Sequence, residues 1–559
     1  MSNDAIAEGD VPLPAARPPI PVTLADVLLR SREAWPQATA LVLPDARYTY
    51  DDLARRAWAT ARSLAGMGVK PGDHVGLLFP NSAEFVTTLF GIAMLGAVAV
   101  PINTRYRAWE LGFLVKDADL SCIVTYDGTR DYVDFATLLE EAFPELASQR
   151  QPGQLALDAA PLLRAVVMLG ETERPWLTGP AAFAAAASAC DNRQLTVWCE
   201  GVPIRSIAAI VYTSGTTSQP RGALLSQESL VRSWVMAGRR WGLRQSDSFW
   251  NPCQMFHIAG IGPLVFTLAH GAAFVTATHF EAGQALDQID REKPTILYPT
   301  YPPLTMDLLT HPKFAATDTS HARAWLNVAP PDTLRRMQAA IPHASLITLY
   351  GSTEGGCVTM LSPEEDLETR MTTGGLPLPG NQVRVVSAET GEPAPPGIIG
   401  EIQYRGYNAF VGYYKDPEKT RATLGDDGWV RTGDMGDFDA AGRLTFRGRL
   451  KDMLKVGGEN VAPAELEQYL ESHPAVKLAQ VFGIPDDRLV EVPVACIELH
   501  DGMVVGAEEI IAFCKGRISS FKVPRHVKVV TAWPMSLTKI QRGKLREQFI
   551  AEMDEARGA

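Results

Sequence analysis

From about Val22 onward the chain alternates two hydrophobic rhythms. One places apolar residues every three or four positions, the spacing of an amphipathic helix. The other is a short unbroken apolar run rich in β-branched residues, the mark of a buried strand. "TYDDLARRAWATARSLAGMG" (49–68) is of the first kind and predicts a helix that opens at a capping Thr49 and closes at glycine. "DHVGLLFP" (73–80) predicts a strand, residues 83–95 a helix, and "AVAVPIN" (97–103) another strand. "AAIVYTSG" (208–215), "AAFVTAT" (272–278), "TILYPT" (295–300) and "ASLITLYGS" (344–352) are further strand-like runs with helical segments between them. This alternation predicts an α/β fold with sheets covered by helices. The Ala-rich "GPAAFAAAASACDNR" (179–193) reads as a surface helix or insertion and carries no evident chemistry.

The texture changes near Glu401. "GEIQYRG" (400–406), "GRLTFRGR" (442–449) and "KDMLKVGG" (451–458) are short, β-rich and turn-rich. In "NVAPAELEQYLESHPAV" (460–476), Pro463 suits a first helical turn, and Leu466, Tyr469 and Leu470 form one apolar stripe. "LAQVFGI", "VPVACIEL", "AEEIIAFCKGRI" and "HVKVV" complete a strand–strand–helix–strand set. The expected organisation is a tail over 1–22, a large N-terminal domain over 23–450 and a small mobile α+β domain over 451–559.

Composition narrows the functional classes. A net charge of −12 argues against broad binding to nucleic acid or anionic membranes, but not against a local anion site. Seven scattered cysteines without a CxxC pair read as reduced thiols in a cytoplasmic protein, with no zinc site. The N-terminus lacks the apolar core of a signal peptide. The most apolar stretch, Phe85 to Pro101, is shorter than the roughly 20 residues that span a bilayer, so no integral membrane segment is expected.

Chemistry concentrates in "YTSGTTSQPRG" (212–222). A buried strand runs into a loop rich in hydroxyls and backbone N–H groups, and such loops surround phosphate oxygens. It is not a Walker A loop, since Pro220 stands where that pattern needs glycine. The wider stretch "YTSGTTSQPRGALLSQ" resembles the signature loop of the adenylate-forming enzymes: acyl-CoA synthetases, stand-alone adenylation domains and firefly-type luciferases. "LYGSTEGG" (349–356), "GWVRTGDMG" (428–436), "FRGRLKDMLKVGGENVAPAELE" (446–467) and "PMSLTKIQRGKLRE" (534–547) match further motifs of that family in order. The resemblance runs from about residue 24 to 550 and is closest to a bacterial acyl-CoA synthetase.

The resemblance implies a reaction and a set of roles. A carboxylate attacks the α-phosphate of ATP, giving an acyl-adenylate and pyrophosphate; a thiol, commonly that of coenzyme A, then takes the acyl group and AMP leaves. The protein's work is to position two anions against their repulsion and stabilise charge on phosphorus. Thr213, Ser214, Gly215, Thr216 and Thr217 would cradle the β- and γ-phosphates, with Arg221 as a clamp. Glu354, with Thr216, would hold Mg²⁺. Thr353, beside Gly351 and Ser352, would touch the α-phosphate. Tyr350 would stack on adenine, opposite the backbone of Ala329 and Pro330. Asp434 would accept the ribose hydroxyls, with Arg449 adding a contact. Lys451 matches the family's hinge, and Gly457 and Gly458 its pantetheine passage. His257 in "MFHIAGIG" is either a hydrogen-bonded core residue or a lining of the channel between acyl group and thiol. "LYPTYPPL" (297–304) and "GGCVTM" (355–360) are either acyl-pocket walls or ordinary core.

Three departures from the family pattern stand out. Arg221 replaces the usual lysine, keeping the charge but changing its geometry. Asn327 and Val328 replace small glycines, which would narrow the adenine slot or the acyl pocket. In "LTKIQRGKLRE" (537–547) either Lys539 or Lys544 is the terminal lysine. Lys539 is preferred because it sits closer after Pro534 and keeps the "KIQ" context. The expected activity is an AMP-forming acid–CoA ligase whose partners are a small-molecule carboxylic acid and coenzyme A. An amide-forming synthetase or a catalytically silent homologue are the alternatives. A carrier-loading domain is less expected, since no carrier domain follows Ala559, and nothing supports a luciferase-type oxygenase. Fatty, alicyclic and aromatic acids all fit the pattern. The assembly state, a homodimer included, is left open.

Overall fold

The computed structural model describes residues 21–127, 133–213, 220–387, 390–456, 459–461, 463–486, 489–518, 520–536 and 539–558. The helices and strands follow the apolar rhythms closely. Thr49 caps the helix Tyr50–Gly66 through a reciprocal capping box with Asp52, which satisfies two otherwise orphaned N–H groups. The helix Ala83–Leu95 is buried on nearly every face and stops at Gly96, which takes the left-handed conformation that a side chain disfavours. Among the described residues no helix is long and apolar enough to cross a membrane.

The chain divides into two compact units, one made of residues up to 329, 334–382 and 404–430, the other of 330–333, 383–403 and 431–559. The first is built on two large sheets. The eight-stranded sheet runs, by residue, 412–413, 221–226, 207–213, 98–101, 74–78, 120–125, 165–168 and 177–178. It is parallel from 207–213 to 177–178, and its first two strands run antiparallel to their neighbours. The seven-stranded sheet runs 345–347, 324–327, 296–300, 248–250, 273–275, 39–43 and 46–49, with only the final hairpin antiparallel. The Ala-rich segment forms the helix Pro180–Ala186 and a following turn. It lies against the end of helix Tyr50–Gly66, where a Cβ on Gly66 would meet the Ala186 carbonyl at 1.8 Å.

The second unit holds the strands 430–438 and 444–449 of a four-stranded sheet and, after them, the predicted strand–strand–helix–strand set. Strands Val476–Asp486 and Val490–Leu499 pair antiparallel, helix Ala507–Cys514 follows, and His526–Val529 lies parallel to Val490–Leu499. Pro463 opens the helix Pro463–Glu471, which buries Leu466 and Leu470.

The amino ends of three parallel strands meet at Asp247. Its carboxylate accepts from Arg323 Nη2 (2.7 Å) and Nε (3.0 Å), from Thr295 Oγ1 (2.8 Å) and from the Arg244 N–H (2.8 Å). Burial alone would raise the Asp247 carboxyl, but the bonds from Arg323 and Thr295 outweigh it and hold it below the usual range. Asp247→Asn is expected to cost about 3 kcal/mol, the low end for breaking a buried pair, because a third of Arg323 stays in solvent. A folded carboxyl below its unfolded value stabilises fully above about pH 4 and less as pH falls further. Denaturant midpoints at pH 7 and pH 3 test this: the difference between variant and wild type should shrink at pH 3, and an equal difference at both would remove the charge from the explanation.

Candidate active site

The hydroxyl-rich stretch is anchored by a strand stem. Strand Ile207–Thr213 pairs antiparallel with Arg221–Ser226, and Thr213 stands opposite Arg221 in the register. Arg221 is thus the first residue of a strand rather than part of a free loop, and its origin is fixed by backbone pairing. Ser214, Gly215, Thr216 and Thr217 lie outside the described residues. Arg221 Nε bonds Asp416 Oδ2 at 3.2 Å. Its two terminal nitrogens make no hydrogen bond or ion pair among the described residues. A guanidinium can hold a carboxylate through Nε and still present the parallel Nη pair to a phosphate; a lysine ammonium has no such second edge.

Glu354 sits at the turn of a hairpin between strands Leu349–Ser352 and Gly356–Met360. The turn has little freedom. Gly356 has φ +55°, and a Cβ on Gly351 would come within 2.1 Å of the Gly356 carbonyl. Ser352 Oγ accepts from the Gly355 N–H at 3.2 Å. A Cβ on Gly355 would meet the buried Tyr404 ring at 2.7 Å. From outside the hairpin, the Phe410 N–H donates to the Glu354 carbonyl (2.9 Å), Asn408 Nδ2 to the Gly355 carbonyl (3.1 Å), and the Tyr413 hydroxyl to Glu354 Oε1 (2.8 Å). Burial and then the Glu354 charge push the Tyr413 phenol upward, so it stays a protonated donor. The second oxygen of Glu354 has no partner among the described residues.

That donor set fits a hard cation delivered with phosphate. Among the described residues no group of three or more His, Cys, Asp or Glu is placed to hold a metal. Mg²⁺ in phosphoryl chemistry is commonly held by one or two carboxylates plus the substrate's own phosphates, which a single open carboxylate oxygen suits.

The remaining predicted residues of this unit, and Pro330 that follows it in the chain, are placed as follows. Tyr350 is 7% exposed in its strand, and Thr353 sits with Glu354 in the turn. His257 is exposed and precedes the helix Ile258–Ala269, its ring 4.6 Å from Phe256. The buried-core alternative for His257 therefore does not hold. Its loop is shaped by two buried amides: Asn81 accepts from the Met255 N–H (2.8 Å) and donates to the Cys253 carbonyl (3.1 Å), while Asn251 donates to the Ala259 carbonyl (3.1 Å). Asn327 is fully buried and donates to Thr305 at 2.5 Å, whereas Val328 is 43% exposed. Ala329 packs on the core below, and Pro330 is exposed ahead of helix Pro331–Ala340. Cys357, Val358 and Met360 are wholly buried, and burial lifts the Cys357 thiol to about 12. In "LYPTYPPL" only Tyr301 to Leu304 present surface.

In the second unit, Asp434 and Arg449 are register partners on adjacent strands, with Arg449 Nε 3.4 Å from Asp434 Oδ1. Gly433 has φ +67°, its N–H donates to Glu401 (3.0 Å), and Thr432 Oγ1 accepts from the Asp434 N–H (3.0 Å). These bonds set the angle at which Asp434 leaves its strand. Gly457 and Gly458 lie outside the described residues. Lys539 is described by its backbone, which pairs with Ser536 in a two-stranded hairpin, while Lys544 is exposed on helix Arg542–Gly558. Arg542 bonds Glu467 (2.6 Å) and Asp452 (3.4 Å), and burial raises the Glu467 carboxyl in spite of that cation.

Residues 28–414 match the family described as AMP-binding enzyme, and residues 465–544 match the AMP-binding enzyme C-terminal domain. The chain belongs to the AMP-binding enzyme family. It is 33% identical over 540 residues to a mitochondrial medium-chain acyl-CoA ligase of Rattus norvegicus, covering 94% of this chain and 87% of the relative. Among solved structures, ATP-bound MatB from Rhodopseudomonas palustris superposes with a TM-score of 0.78 at 27% identity, covering 94% of this chain and 99% of that one. The anthranilate CoA ligase AuaEII in complex with anthranoyl-AMP gives a TM-score of 0.77 at 28% identity, covering 98% and 99%.

Sequence reasoning overlooked Tyr413 and Asp416, which touch Glu354 and Arg221. The available signal was "DPEKT" (416–420), a capping aspartate followed by proline at the first helical position, and it reports only a helix start. Removing the Arg221 charge is expected to lower kcat/KM for ATP about 10- to 100-fold, the scale of a lost charge-assisted bond. Arg221→Lys should retain most of the activity, with a higher KM. Steady-state pyrophosphate exchange checks this: an Arg221→Ala enzyme with wild-type parameters would mean that the guanidinium serves Asp416 alone.

Proposed function

We infer that the chain is an AMP-forming carboxylic acid–CoA ligase. A carboxylate oxygen attacks the α-phosphorus of ATP, the bond to the β-phosphate oxygen breaks and pyrophosphate leaves. The sulfur of coenzyme A then attacks the acyl carbon of the adenylate, giving a thioester and AMP. The observation that carries this reading is the paired open valences at the strand stem. Arg221 offers an unpartnered Nη edge and Glu354 an unpartnered oxygen among the described residues, each held by residues 413–416. One edge suits phosphate and the other a divalent cation. Mg²⁺, when bound, would neutralise polyphosphate charge; Glu354 would hold it, together with Thr216.

The remaining roles follow the family pattern. Thr213 to Thr217 and Arg221 cradle the polyphosphate; Tyr350, Ala329 and Pro330 take the adenine. Asp434 accepts from the ribose hydroxyls, and its own pairing with Arg449 fixes its direction. Lys539 is the terminal lysine. Its place in a hairpin stem closed by the Gln541 N–H on the Pro534 carbonyl (2.7 Å) supports it over Lys544, which points to solvent from a helix. The hinge lies at Lys451, between a large domain over 23–450 and a mobile domain over 451–559, so that each half-reaction receives its own groups. His257 lines the thiol's approach, for which its exposure at a helix start provides room. All seven cysteines are free thiols, which agrees with a reaction placed in the cytoplasm.

A pyrophosphate-release screen over fatty, alicyclic and aromatic acids, run with coenzyme A, with amines and with neither, tests the assignment. Release with an acid and thioester only with coenzyme A is expected. Amide formation would move the chain to the amine-accepting class, and no release with any acid would leave it catalytically silent. In the same assay, Lys539→Ala is expected to lower adenylation at least about 100-fold and Lys544→Ala less than about tenfold; the reverse order would transfer the role. A bulky residue at Gly458 should block thioester formation and spare pyrophosphate exchange, and equal loss of both would refute the passage there.

A further inference from the structure

We propose that Tyr413 is the positioning residue that readies Glu354 for the divalent cation, within a segment, 408–416, that seats both charged groups of the polyphosphate site. The inference rests on reading Glu354 as the metal carboxylate.

Residues 411–414 form the outermost rung of the eight-stranded sheet. Tyr413 stands opposite Ala223, the Val411 N–H donates to the Leu224 carbonyl (2.9 Å), and the Tyr414 N–H donates to the Gly222 carbonyl (2.8 Å). The segment is therefore registered on the very strand that begins with Arg221. On its other side the same segment grips the Glu354 turn through Asn408, Phe410 and Tyr413. Three residues after Tyr413, Asp416 holds Arg221 Nε, and its other oxygen caps the helix Pro417–Thr423 by accepting from the Lys419 N–H at 2.9 Å. One short stretch thus fixes the separation between a carboxylate and a guanidinium that come from distant parts of the chain.

The Tyr413 bond does more than hold. A carboxylate that is free to rotate must lose that freedom when it ligates a cation. A phenol donating to Oε1 at 2.8 Å removes the rotation beforehand and leaves the other oxygen as the ligand. The donor is itself immobile. Its ring packs edge-on against Phe410 at 4.9 Å, and its backbone N–H is bonded to Thr420 Oγ1 at 2.8 Å. Removing only the hydroxyl keeps the ring contact and the strand, and takes away the phenol's contacts with Glu354 and Thr423.

The test is Mn²⁺ binding to the full-length protein with a non-hydrolysable ATP analogue, read from the free-Mn²⁺ electron paramagnetic resonance signal. Tyr413→Phe should weaken Mn²⁺ about tenfold or more, the scale of a bond to a charged group. It should raise the Mg²⁺ concentration at half-maximal pyrophosphate exchange by the same factor and leave kcat at saturating Mg²⁺ within about twofold. Asp416→Asn keeps a capping side chain, so it should raise the KM for ATP and leave Mn²⁺ affinity unchanged. If Glu354→Gln abolishes Mn²⁺ binding but Tyr413→Phe is within twofold of wild type, the positioning role is overturned and the metal role of Glu354 stands. If Glu354→Gln also binds Mn²⁺ normally, the metal reading fails and this proposal with it.

Discussion

One buried carboxylate sets the frame of the larger unit's seven-stranded sheet, from whose strand ends several candidate residues project. Asp247 binds groups at the amino ends of the strands 248–250, 296–300 and 324–327. Those strands are parallel, so their other ends open on one edge, the edge where open α/β sheets bind ligands. His257, Thr300 and Asn327 follow or finish them there. Strands that cannot slide at their origins deliver the residues beyond their ends in constant register. The interaction is costly to assemble, since a charge is buried, and only its several donors make it favourable.

The polyphosphate side obeys a second constraint, of chain connectivity rather than charge. Arg221 and Glu354 are far apart in sequence and belong to different sheets, yet both are held by residues between 408 and 416. Neither could be placed by its own strand alone. Arg221 leaves an edge that would otherwise pair with nothing, and the short strand 412–413 closes that edge. The same act that completes the sheet brings Tyr413 over the carboxylate.

How much of this was legible depended on the kind of force involved. Helix 50–66 and strand 74–78 could be read because capping and apolar periodicity are local properties. Asp434 and Arg449 could be singled out because their motifs are specific, although their pairing across two strands could not be foreseen. Arg221 was recognised by its loop, but its position as the start of a strand depends on backbone pairing with Thr213, which leaves no trace in side-chain type. Tyr413 was invisible: a tyrosine in a turn-rich stretch resembles any half-buried aromatic. His257 was ambiguous for the opposite reason, since an apolar neighbourhood in sequence suggested burial, while the loop built by Asn81 and Asn251 turns it outward.

Gly355 has a practical meaning for anyone reshaping this protein. With the Tyr404 ring 2.7 Å from where a Cβ would stand, the turn bearing Glu354 rests on a hard floor. Cys357, Val358 and Met360 come directly after it on a fully buried strand, so a volume change there has no slack to absorb it before reaching the carboxylate. Tyr301 and Pro303 are exposed, and Pro302 and Leu304 half-buried, on a separate helix start. Side-chain changes at 301–304 therefore meet slack that the strand after Glu354 does not offer.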